Sequence, residues 1–170
     1  IDVPKFRGSS VQNGNHAMKI TETGAAVYPE LRPARHDRQF VAESIPSGVP
    51  ELDELLNGGV ERGTVTVITG PTGVGKTTLG TQFVNEAAGR GERSVMYLVE
   101  ESKPTFKERS EAINIPVTDM ENRETLLVEE VEPLNLSPQQ FGRNVREEVE
   151  TNDTKVVMID GVSGYRVSLQ

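Results

Sequence analysis

The sequence contains no cysteine and no tryptophan, and aromatic residues make up only 5% of it. Without cysteine there can be no disulfide framework and no thiolate metal site, a composition that fits a reducing cytoplasm. Without tryptophan and with so few other rings, there is no stacking platform for single-stranded nucleic acid. No apolar run approaches the roughly 18 residues a membrane helix needs, and no leader-like segment opens the chain. The expectation is therefore a cytoplasmic protein, neither membrane-spanning nor secreted through a leader. Lysine is scarce, with six residues against twelve arginines, and 26 acidic residues outweigh 18 basic ones to give a net charge of −8. A chain this acidic repels nucleic acid unless its positive charge is gathered in one place. Acidity with little lysine is also the pattern of proteins adapted to high salt. The chain has no internal repeat or low-complexity tract. Its 170 residues suffice for one α/β core with a tail. Opening on Ile1 and closing on "RVSLQ", it is expected to be part of a longer polypeptide.

What is present is a regular alternation beginning near Ser44. Before it, residues 1–43 read as a tail and linker. "KFRGSS" leads into a Gly/Asn-rich loop, "MKITETGAAVYP" predicts a hairpin around a Thr-Gly turn, and "ELRPARHDRQFVAE" predicts a surface-crossing linker. In "SGVPELDELLNGG", Ser47 or Gly48 can open a short helix with Leu52, Leu55 and Leu56 on one face. "TVTVITG" (64–70) predicts a buried strand, and residues 76–88 a helix packing through Leu79, Phe83 and Ala87. "SVMYLVE" (94–100), "TLLVEEV" (125–131) and "KVVMIDG" (155–161) predict further strands. Helices are expected over 103–112 and after Ser137-Pro138, the latter carrying Phe141, Val145 and Val149. Nearly continuous apolar strands separated by helices predict an α/β fold, with a mainly parallel sheet covered on both faces.

Three stretches carry chemistry. "GPTGVGKT", comprising Gly70, Pro71, Thr72, Gly73, Val74, Gly75, Lys76 and Thr77, matches G-x-x-x-x-G-K-[ST] between an expected strand and an expected helix. Glycines let the backbone turn its N–H groups inward, and the helix N-terminus adds partial positive charge, so the loop suits a nucleoside triphosphate. Lys76 would reach the β- and γ-phosphates, Thr77 would ligate Mg²⁺, and Thr78 could donate to the α-phosphate. "VVMID" places Asp160 at the carboxyl end of a strand, where it can bind magnesium. The alternative is a turn-forming Asp before Gly161. "YLVEES" ends a strand on adjacent Glu100 and Glu101. Because side chains alternate along a strand, one of them faces the nucleotide; we assign Glu100 as the base that polarises a water and Glu101 as its assistant. The alternative is a solvated acidic turn, with Ser102 as the N-cap of the next helix. His16 and His36 receive no role, and Arg32, Arg35 and Arg38 read as solvated linker charges that could touch a neighbouring subunit.

These stretches together resemble the RecA superfamily of P-loop ATPases and, within it, the KaiC-type branch. "SGVPELDELLNGGVERGTVTVITGPTGVGKTTLGTQFV" (47–84), "YLVEESKPTF" (97–106) and "VVMIDGVSG" (156–164) carry the likeness, which extends over residues 44–170. Gly161 stands where that branch more usually has Ser or Thr. The resemblance implies a RecA-like domain over 44–170 that is incomplete at its C-terminus. Residues 1–43 would be the tail of a preceding domain plus a linker. It also implies that an internal strand, between the phosphate-loop strand and the strand of Asp160, comes later in sequence. "KFRGSS" is similar to the strand by which such domains reach a neighbouring subunit's nucleotide, so Lys5, Arg7 and Ser9 would act in trans on a preceding domain's site. The same resemblance implies a ring, hexameric in the family's manner, with ATP and Mg²⁺ at subunit interfaces, slow hydrolysis coupled to conformational state, and signalling proteins as partners. In some members of the family it extends to Ser/Thr autophosphorylation. The alternatives are a nucleotide-gated scaffold without hydrolysis and a RecA/RadA-type DNA-dependent ATPase, the latter opposed by the net charge.

Overall fold

The central strand of the structure is the one most completely enclosed by its neighbours. In the computed structural model, which describes residues 16–29, 42–132 and 134–162, Ser94–Leu98 (β5) is buried along its whole length. It pairs in parallel with Leu126–Glu130 (β6) on one side and Val156–Asp160 (β7) on the other, giving the order β6-β5-β7. The register sets Ser94 beside Leu126 and Val156, and Leu98 beside Glu130 and Asp160. The carboxyl ends of all three strands are therefore level, and all end near acidic residues. This is the α/β architecture with a parallel sheet and flanking helices that the sequence predicts.

Alternation along β5 divides the core in two. Met96 and Leu98 face a cluster with Val84 and Ala88 of Lys76–Gly89 (α2), Phe106 of Lys103–Ala112 (α3) and Val117 and Met120 of Val117–Asn122 (α4). Val95 and Tyr97 face Phe141 of Pro138–Thr151 (α5), with the Tyr97 and Phe141 rings edge to face at 5.1 Å. Burial, with the nearby charges of Glu129 and Glu148, pushes the Tyr97 phenol up to about 12. β7 is less enclosed. Val157 and Ile159, in register with Val95 and Tyr97, are 37% and 39% exposed, so α5 does not cover this part of the sheet.

Local chemistry explains the helix starts. Ser102 and Ser137 each accept a hydrogen bond from the amide three residues on, of Thr105 and Gln140, and Pro follows in the first turn of both helices. The N-terminal hairpin forms as expected, Ala17–Thr21 (β1) pairing antiparallel with Gly24–Tyr28 (β2). Ser44–Ile45 (β3) and Val60–Glu61 (β4) make a second short ladder that brackets Pro50–Leu55 (α1). No helix among the described residues is long and apolar enough to cross a membrane.

Four expectations change. Residues 64–70 form no strand: the segment is exposed, with Val65 at 91% and Val67 at 76%, and joins no ladder among the described residues. A β-branched run becomes a strand only when a neighbour takes its amides and carbonyls, and propensity does not replace that partner. The α1 helix is opened by Val49 rather than Ser47 or Gly48, and none of its residues is buried. Its leucines do not form a core face. What holds it is polar: the Ser47 amide and hydroxyl both donate to Asp53 Oδ1 at 2.7 Å, and these bonds hold the Asp53 carboxyl below its usual range. The α2 helix buries Gly80, Thr81, Val84, Ala87 and Ala88, a face rotated about one position from Leu79, Phe83 and Ala87. Finally, α4 carries no periodic signal in the sequence and is an addition to the expected elements.

Candidate phosphate and metal site

The rotation of α2 is what builds the site. A Cβ placed on Gly80 would lie 2.4 Å from Met158 Cε and 2.7 Å from Sδ, so the helix approaches β7 with the flexible end of Met158 filling the space beside the glycine. One turn earlier, that approach brings Thr77 onto the end of β7. The Thr77 hydroxyl donates to Asp160 Oδ2 at 2.8 Å, across 83 residues of sequence. Thr81 Oγ1 in turn donates to the Thr77 carbonyl at 2.7 Å.

The preceding loop, Gly70 to Gly75, is exposed throughout. Gly73 and Gly75 have φ of 82° and 95°, a region costly for side-chain-bearing residues, and Gly75 is the left-handed residue from which α2 starts. Lys76 folds back over the loop, its Nζ donating to the carbonyls of Gly70 at 3.0 Å and Pro71 at 2.8 Å. Thr72 and Val74 stand exposed in the loop, and Thr78 is half-buried on the first turn of the helix. The first amides of α2 have no intrahelical acceptor, so they are available to an anion.

The two adjacent glutamates separate. Val99 N donates to the Asp160 carbonyl at 3.0 Å, which ties the end of β5 to the end of β7. Glu100 then lies across Gly161, its Cγ 2.9 Å from where a Cβ on that glycine would stand. Gly161 has φ of 87°. A residue with a side chain would be strained there and would crowd Glu100, so glycine fits this backbone. Glu101 turns the other way, to Arg109 on α3, with Nη2 to Oε2 at 2.8 Å. Ser102 does cap α3, as the turn reading of "EES" has it.

A hydroxyl and a carboxylate at hydrogen-bond distance are hard oxygen donors. They form a partial set of the kind suited to Mg²⁺, which keeps waters and phosphate oxygens in its remaining positions. Thr77 and Asp160 would hold that ion. Lys5, Arg7, Ser9, Arg32, Arg35, Arg38 and His36 lie outside the described residues. Sequence reasoning missed Gly80, Met158 and Arg109. A glycine inside a helical pattern is a usable sign of close approach, whereas nothing in the spacing of Glu101 and Arg109 marks a pair.

Comparison with known proteins shows the family. The family model described as "ATPase: KaiC" matches residues 45–170. The circadian clock oscillator protein KaiC of Acaryochloris marina is 26% identical over 163 residues, covering 96% of this chain and 31% of that protein. The protein of the same name from Picosynechococcus sp. is 32% identical over 123 residues, covering 72% of this chain and 24% of that protein. Circadian clock protein KaiC2 of Synechocystis sp. is 28% identical over 169 residues, covering 99% of this chain and 30% of that protein. The chain thus spans less than a third of the length of these relatives. With a P-loop running into a helix, a strand-end aspartate against its threonine, and a parallel sheet beneath both, the chain belongs to the KaiC family of ATPases.

Proposed function

We propose that this chain binds Mg·ATP between Gly70 and Thr78 and hydrolyses it slowly, as part of a ring-forming signalling ATPase of the clock type. The contact that carries the reading is Thr77 to Asp160, since it joins two residues whose shared use is a metal beside a polyphosphate. Lys76 would exchange its two loop carbonyls for phosphate oxygens. Glu100, lying beside Asp160, would accept the proton of an attacking water, and Glu101 would assist. Bound Mg²⁺ would neutralise charge on the phosphates; the protein's own part is to orient them and to hold the water.

Residues 44–170 form the nucleotide domain in this reading, and residues 1–43 the tail of a preceding domain plus a linker. Lys5, Arg7 and Ser9 would serve that domain's nucleotide in trans within a hexamer, where fixed cations suit developing γ-phosphate charge. A cytoplasmic location, protein signalling partners, and autophosphorylation of the full-length protein belong to the same reading. With a net charge of −8, nucleic acid is not the partner proposed.

The test is phosphate release and ATP binding measured on the full-length protein. Lys76→Ala should weaken ATP binding by at least about 100-fold, because a charge-assisted contact to phosphate is lost. Glu100→Gln should keep binding and abolish release. Wild-type protein that binds ATP and assembles without releasing phosphate would instead make it a nucleotide-gated scaffold. Unchanged affinity in Lys76→Ala would refute the loop assignment.

A further inference from the structure

The carboxyl edge of the sheet concentrates negative charge where the proposed function needs a polyanion. Asp160, Glu100, Glu101 and Glu130 all stand at or just beyond the ends of the three parallel strands. Each unpaired carboxylate there would oppose a triphosphate, because charges closer than a Debye length are not fully screened by salt.

The structure deals with these acids one at a time. Asp160 is engaged by Thr77, and Glu130 accepts the Lys103 amide at the start of α3. The basic residues of α3 are Lys103, Lys107 and Arg109. Lys103 and Lys107 both bind Glu121 of α4. Burial alone would raise Glu121, but hydrogen bonds and charge from these two lysines hold it below its usual range. Both lysines are thus committed to the α3–α4 contact. Arg109 is the α3 cation that reaches back along the helix, past its Ser102 cap, to the strand end, where it meets Glu101 at 2.8 Å. Glu100 has no such cation among the described residues and lies over Gly161 beside Asp160.

We propose that Arg109 is a positioning residue for nucleotide binding: it holds and neutralises Glu101, so that Glu100 is the one carboxylate of the pair presented to the triphosphate. The inference rests on the triphosphate reading of the site and adds a division of labour within the acidic pair. Loss of Arg109 frees a negative side chain at the mouth of the site. The cost falls on nucleotide affinity first and on the chemical step second.

The experiment is a double-mutant cycle on the full-length protein, read by equilibrium binding of ATP with magnesium, by the split of kcat and KM, and by thermal unfolding without nucleotide. Arg109→Ala should weaken ATP binding roughly three- to tenfold, the size expected of one uncompensated charge near the same strand ends. Arg109→Lys should restore most of the affinity. In a Glu101→Gln background, Arg109→Ala should change affinity less than about twofold, because the charge it neutralised is gone. An equal loss in both backgrounds, or no loss in either, overturns the proposal while leaving the ATP site intact. Wild-type protein that fails to bind ATP overturns the functional reading and this inference with it.

Discussion

Gly161→Ala tests whether the end of β7 is built as described. The substitution keeps every polar group and adds one methyl at a residue with φ of 87°. Left-handed backbone costs a residue with a side chain about 1–2 kcal/mol relative to glycine. The new Cβ would also stand 2.9 Å and 3.2 Å from Glu100 Cγ and Cδ and 3.2 Å from the Glu100 amide nitrogen. The side-chain atoms can move aside, but the backbone nitrogen cannot without disturbing the tie between Val99 and Asp160. Crowding of that kind adds about 1 kcal/mol. The total is about 2–3 kcal/mol, which at a urea m-value of 1–3 kcal/mol/M moves the unfolding midpoint by roughly 1 M. The assay is urea unfolding of the nucleotide-free protein, paired with phosphate release. Introducing Glu100→Ala beside Gly161→Ala removes the two side-chain contacts and leaves the backbone one, so the stability loss should shrink by less than about 1 kcal/mol. A Gly161→Ala protein within about 0.5 kcal/mol of wild type would refute both the strained backbone and the placement of Glu100 over it.

The same geometry yields two further expected outcomes. At Gly80, alanine should be nearly neutral, since a helix-propensity gain of about 1 kcal/mol offsets a contact with the flexible end of Met158. Valine there should cost about 1–3 kcal/mol and weaken ATP binding, and Met158→Ala in the valine background should recover part of both losses. At the other end of the sheet, burial alone would raise Glu148, but hydrogen bonds from Asn152, Thr154 and Arg93, with the Arg93 charge, hold it below its usual range. Its contribution is therefore fully present above the unfolded carboxyl value near 4.3 and is lost as pH falls through the lower folded value. Arg93→Ala should cost about 1–2 kcal/mol at neutral pH in urea unfolding and flatten the acid loss below about pH 4.5.

The sheet was legible because its strands are apolar runs bounded by turn residues, and the capped helices because Ser102 and Ser137-Pro138 carry their own start signals. The loop was legible because spacing and context coincide in one short string. Elsewhere sequence preference and tertiary need diverge. The run Thr64–Gly70 has a strand's composition, but a strand is a relation between two segments. Leu55 and Leu56 keep helical spacing yet lie exposed, and the face of α2 turned on one glycine whose partner lies 78 residues away. Strand alternation separates Glu100 from Glu101, but the partner of Glu101 was out of reach, because it depends on which of three cations on α3 is left over once Glu121 has taken two.

β7 marks where the sheet has room to continue. It pairs with β5 on one side and with no strand on the other among the described residues, and its Val157 and Ile159 stand partly exposed. An open row of amides and carbonyls beside an apolar flank is a seat for one more extended segment, and the internal strand that the resemblance implies to come later in sequence would be its natural occupant.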